Sequence, residues 1–197
     1  MGKLFELRYL TASLRAFRAL KDAVTNQPAH NQPQNMITNW KTLPVTSFTS
    51  AEELLKALEE NGIVVGWKAA QLIRKLDGNI QFPSEPVKVS IVTNADLGIT
   101  DSVSVQDFYG KATAARHKLC TTGIGILARL AYTPSEQIEN YDLWFIAIAM
   151  EPVEVDGEHL ILRIAAGTQG SRLDAVAVTG DEAFNSDAKD KWLVVSE

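Results

Sequence analysis

Leu4, Leu7, Leu10, Leu14, Phe17, Leu20 and Val24 recur at steps of three and four and fill one broad sector of a helical wheel. Ala12, Ala16, Ala19 and Ala23 make a second, smooth sector beside it. Only a narrow edge carrying Arg8, Thr11, Arg15, Arg18 and Asp22 is left for water. A helix apolar over so much of its circumference predicts two packing surfaces. Leu7, Leu10, Leu14, Phe17 and Leu20 are its candidate contact residues. Each Leu or Phe buried there would contribute about 1.5–3 kcal/mol. The polar stretch TNQPAHNQPQN at 25–35 comes next, and its two prolines cannot continue a helix. The expected division is a helix with a proline strap over 1–35 and a single domain over 36–197.

Further along, Ser50 and Glu53 form a capping-box signature before Leu54, Leu55 and Leu58, and Asn61-Gly62 supplies a left-handed stop. A second helix is predicted from about Val65 to Leu76. The pair invites a helix-turn-helix reading. Lys68 and Gln71, however, stand where a DNA-reading pair buries apolar anchors, so a packing hairpin is expected. The period then changes to two, with Val87, Val89 and Ile91 alternating with Lys88 and Ser90. A weaker strand is predicted over Thr100–Val105, and Ser104 with Asp107 can cap the next helix. Phe108, Ala112, Ala115, Leu119, Thr122, Ile126 and Leu130 continue as a stripe through Gly123 and Gly125, predicting one long or gently kinked helix ending near Tyr132. Thr133-Pro134 would open a short helix.

Leu143–Met150 is an uninterrupted apolar run of strand length, the mark of a strand covered on both faces. Asp156-Gly157 predicts a tight hairpin pairing the preceding strand with His159–Ala166. Pro152 predicts a bulge or edge near Glu151. Ala175–Val178 and Trp192–Val195 complete the strands. Helices first and sheet last argue for an α+β fold: N-terminal helices and one long central helix on a mainly antiparallel sheet formed by the C-terminal third.

Composition narrows the function. The 197 residues carry 19 Lys and Arg against 24 Asp and Glu, a formal charge of -5, which argues against a dedicated nucleic-acid binder. The single cysteine excludes an internal disulfide. Glu6, Arg8 and Arg15 interrupt any secretory apolar core. Glu6 also fails the myristoylation pattern, and the Leu-rich sector favours a structural helix over a presequence. A cytoplasmic location without a membrane span is expected. His30, His117 and His159 are scattered without metal-ligand spacing, so neither a metal nor a cofactor is expected.

Gly123-Ile124-Gly125-Ile126-Leu127-Ala128 has the letters of a dinucleotide fingerprint but lacks the preceding strand that the fingerprint requires. The same residues resemble the acyl-CoA loop of the GNAT acetyltransferases over about a dozen positions, with Cys120 where that pattern has Gln or Arg. The resemblance implies that Gly123 and Gly125 would cradle a pyrophosphate. His117 and Cys120, three apart, could share a helix face as a thiol-imidazole pair, against the commoner buried cysteine. Arg172, in the turn Gly167–Arg172, and Lys111, Lys118 and Arg129 on one helix face join Arg8, Arg15 and Arg18 as candidate anion or nucleic-acid contacts. The leading expectation is a non-enzymatic assembly or scaffold protein, a subunit of a homo-oligomer or viral-type particle, with the first helix making subunit or partner contact. A small acyltransferase-like enzyme and a nucleic-acid-contacting protein are the alternatives.

Overall fold

The computed structural model describes residues 39–132, 143–167, 170–179, 183–185 and 190–196, within the compact unit Asn35–Glu197. The expected first helix, the proline strap and the helix after Thr133-Pro134 lie outside them. The described strands are β1 (Asn39–Leu43), β2 (Ile63–Val65), β3 (Val87–Thr93), β4 (Val103–Ser104), β5 (Leu143–Ile148), β6 (Val153–Val155), β7 (Glu158–Gly167), β8 (Gly170–Ala177), β9 (Ala183–Asn185) and β10 (Lys191–Val195). The described helices are α1 (Ala51–Glu60), α2 (Trp67–Lys75), α3 (Val105–Ala114) and α4 (Thr122–Ala131). The α+β class is as expected.

Ser50 starts α1 by accepting from the Glu53 amide at 3.1 Å. Glu53 answers one residue further out, accepting from the Thr49 amide and hydroxyl at 2.7 Å each. Asp77, just past α2, accepts from the Ala51 amide at 2.7 Å and ties the two helices together. Gly62 at φ +68° ends α1 as predicted. The next element is not a turn but β2, which pairs parallel with β8. That strand removes the helix-turn-helix geometry. Lys68 and Gln71 instead hold the β6–β7 turn, Lys68 meeting Glu158 at 2.5 Å and Gln71 meeting Asp156 at 3.3 Å.

The main sheet runs β1-β3-β10-β5-β7-β8-β2, with β6 also on β7. Its pairs are antiparallel except β10–β5 and β8–β2. Three of its strands precede the C-terminal third, so the sheet draws on more of the chain than expected. β5 and β6 pair with successive stretches of β7: Ala147 lies opposite Arg163 and Val153 opposite Leu160. Residues 148–152 therefore face Ile161 and Leu162 alone, which is the bulge that Pro152 predicts. Asp156 (φ +52°) and Gly157 (φ +81°) make the tight hairpin turn between β6 and β7.

The predicted long central helix is two ten-residue helices. Arg116 at φ +66° breaks the stripe, and the Arg116 and His117 amides bond back to Thr113 and Ala112 in a helix-ending turn. Residues 118–120 then enter the sheet. Lys118 exchanges backbone hydrogen bonds with Val195, and the Cys120 amide donates to Ala149. Steps of three and four persist by coincidence across this crossing, because both helices bury one side.

The two helices serve opposite sheet faces. On the first face, register aligns Ser90, Val92, Trp192, Val194 and Ala147, and Phe108 of α3 stacks on Trp192 at 3.9 Å between centroids. On the second face, α4 packs Gly125 against Ile148. A Cβ at Gly125 would lie 2.7 Å from the Ile148 Cδ1, and one at Gly123 would lie 2.3 Å from the Gln81 carbonyl oxygen. Side chains rotate away more readily than backbone. Gly123→Ala should therefore cost about 3 kcal/mol and Gly125→Ala about 1 kcal/mol in urea unfolding, although alanine is the better helix former.

Candidate interaction surface

Alternation along β7 sends Leu160, Leu162 and Ile164 to the covered second face and Ile161, Arg163 and Ala165 to the first. α3 covers the β3–β10 end of that first face. Toward β2 the face is unevenly covered: Ile161 and Ala165 are buried, while Arg163, Arg172 and Asp174 are half-buried. Phe145, Ala165, Arg172 and Val64 lie in one row across β5, β7, β8 and β2, each directly opposite the next. Phe145 is 37% exposed and Val64 50% exposed; Val45 and Trp67 are the other exposed large apolar residues among those described. The next row holds Ala147, Arg163 and Asp174.

Arg163 lies over the Phe145 ring, its guanidinium carbon 4.1 Å from the centroid. Its Nε is buried and meets no hydrogen-bond acceptor. Burial lowers its pKa, Asp174 opposes the shift and Arg172 reinforces it; arginine still remains cationic at neutral pH. Arg172 is already engaged, with Nε 3.3 Å and Nη2 3.4 Å from the two Asp174 carboxylate oxygens. A Cβ at Gly66 would collide with Asp174 Oδ1, so a bare backbone there lets the carboxylate settle. The result is two cations and one carboxylate, all half-buried, beside an exposed aromatic ring. Elsewhere, the groove between α1 and β2 has a neutralised rim, with Arg74 2.9 Å from Glu52.

Of the residues singled out in the sequence, Arg172 belongs to this surface. Lys111, Lys118 and Arg129 do not share a helix face: Lys111 is exposed on α3, Lys118 lies in the crossing, and Arg129 is buried in α4 near the Tyr132 ring. Leu7, Arg8, Leu10, Leu14, Arg15, Phe17, Arg18 and Leu20 lie outside the described residues. Gly123 and Gly125 have a packing role. Thr121 caps α4 by accepting from the Ile124 amide at 3.3 Å, while its hydroxyl donates to Gln81. Arg163, Phe145 and Val64 were missed, although one arginine inside Leu160-Ile161-Leu162-Arg163-Ile164 is a visible interruption.

His117 and Cys120 are both buried and make no hydrogen bond to each other. The Cys120 thiol donates to the Leu193 carbonyl at 3.6 Å, and burial pushes its pKa up, away from thiolate. Burial likewise raises the pKa of Tyr109, whose hydroxyl donates to the Met150 carbonyl. Among the described residues no three His, Cys, Asp or Glu side chains converge as a metal site, and no helix is long and apolar enough to cross a membrane. Comparison with known families, curated proteins and solved structures finds no match to this chain.

Neither ring nitrogen of His117 meets a hydrogen-bond partner. Burial lowers its pKa, and the nearby Val195 backbone only opposes that shift. The unfolded chain therefore takes up the proton first. This contribution to stability is intact above about pH 6.5 and is lost progressively as the pH falls below it. Between pH ~7.5 and ~5.5 the melting temperature should fall. His117→Leu should flatten that slope.

Proposed function

We propose that this protein is a non-enzymatic assembly or scaffold protein, a subunit of a homo-oligomer or viral-type particle. The observation that carries the reading is the row Phe145–Ala165–Arg172–Val64, exposed at its two ends, with Arg163 stacked on Phe145. Exposed aromatic and arginine side chains on a rigid surface are what protein interfaces concentrate. The sequence pattern of residues 4–24 points the same way: as a helix it would have excess apolar circumference, and the Leu7–Leu20 sector would be a subunit or partner contact. The glycines that an acyl-CoA or nucleotide site would need are filled by Gln81 and Ile148.

Light scattering of the full chain tests this reading. A stable mass above that of one chain is expected, and Leu10→Glu with Leu14→Glu should reduce it. A chain shortened to 36–197 should show the same loss. If full-length and altered chains are identical in mass, the assembly role of the helix falls.

A further inference from the structure

Among the described strands β2 is the last of the main sheet on its side, and it pairs with β8 along one edge only. Parallel pairing turns alternate residues of a strand toward the neighbour. The Gly66 amide donates to the Leu173 carbonyl at 2.8 Å, so Val64, two residues earlier, is the β2 residue that bonds to β8. The N–H and C=O groups of Ile63 and Val65 therefore point away from the sheet. No hydrogen bond engages them among the described residues. An edge with donors and acceptors at a two-residue spacing matches the backbone of one more strand.

Beside that edge lies a groove of about 570 Å³, with β2 as one wall and α1 with α2 as the other. Val65 lies opposite Leu173 and Leu173 opposite Ile164, so Ile63 and Val65 belong to the second face and Val64 to the first. A strand laid along the edge would send alternate side chains to the second face, where Leu55 and Ala70 offer half-buried apolar surface. The others would pass the exposed Val64. Of the charges lining the groove, Glu52 is paired with Arg74 and Lys56 with Glu60. Glu59 is exposed and has no ion-pair partner among the described residues. Charge complementarity thus asks for a cation. We infer that this groove takes an extended segment of a partner protein as an added strand on β2, apolar at alternate positions and carrying Lys or Arg toward Glu59. A second copy of this chain pairing through its own β2 would bring its own α1 against this one, so a lone segment fits better. The inference goes beyond the assembly reading and stands without it.

Fluorescence polarisation of the full chain with labelled hexapeptides that alternate Lys with Val, Leu or Phe tests it. At least one should bind with a Kd below ~200 μM, and replacing its Lys by Glu should weaken binding about threefold or more. Methylating alternate backbone amides should abolish binding in one register and spare it in the other, because only one set reaches β2. Val65→Pro removes an outward N–H and no bond to β8, and it should weaken binding about tenfold or more. Glu59→Lys should weaken it about threefold. Both variants should keep the circular dichroism spectrum; if Val65→Pro does not, the methylated peptides decide. No binding by any of the peptides, binding indifferent to methylation in both registers, or folded variants that bind as wild type does would each overturn the proposal. So would association of the full chain that Val65→Pro abolishes and the peptides do not compete with, since the edge would then belong to a second copy. Leu10→Glu with Leu14→Glu should leave peptide binding unchanged, which separates failure of the assembly reading from failure of this one.

Discussion

Residues 118–120 enter the sheet between the diverging ends of β10 and β5, and the arrangement of the helices depends on that crossing. Lys118 bonds to Val195 on one side and Cys120 to Ala149 on the other, while the Ala149 amide reaches Leu193. Backbone groups that would otherwise be buried and unpaired at the split are thereby satisfied. The chain also passes from one face to the other at this point. α3 stays above Trp192, and α4 continues below Ile148. A continuous helix over the same residues would occupy one face and leave the other bare beside Trp192, so the left-handed turn at Arg116 decides the layering.

One consequence is uneven coverage. α4 packs on the second face, and the register that puts Glu158 with Leu160 and Leu162 brings Lys68 of α2 to that side as well. The first face has α3 over β3 and β10, and toward β2 it is exposed at Phe145 and Val64. Strand alternation cannot avoid presenting side chains there. On β7 and β8 those positions are Arg163, Arg172 and Asp174, with Phe145 beside them. The polar composition of this half comes from its partial exposure, and the stacked guanidinium from the aromatic neighbour one strand away.

Features with local causes were legible in the sequence. Ser50 and Ser104 cap their helices, Asp156-Gly157 makes the tight turn, and Pro152 marks the bulge, because each acts within a few residues of itself. The split between α3 and α4 was not legible: no glycine or proline announces it, and Arg116 takes a conformation usually left to glycine. β2 is too short for a period to show, and its existence depends on β8, more than a hundred residues away. The candidate surface was half visible for the same reason. Arg172 stood out in a polar turn, whereas the importance of Arg163 comes from Phe145 on another strand.

The two halves of the first face handle buried polarity in contrasting ways. Beneath and beside α3, several polar groups find partners within the chain, although His117 just past its end does not: Trp192 Nε1 donates to Asn94 at 3.1 Å, the Ser90 and Ser196 hydroxyls lie 2.5 Å apart, and Tyr109 reaches Met150. On the half toward β2 the Arg163 Nε is buried and lacks an acceptor. A buried donor left unpaired costs about 1–3 kcal/mol, and no internal carboxylate relieves it, because Asp174 is already bonded to Arg172. The stacking of the guanidinium on Phe145 is the contact that offsets that cost.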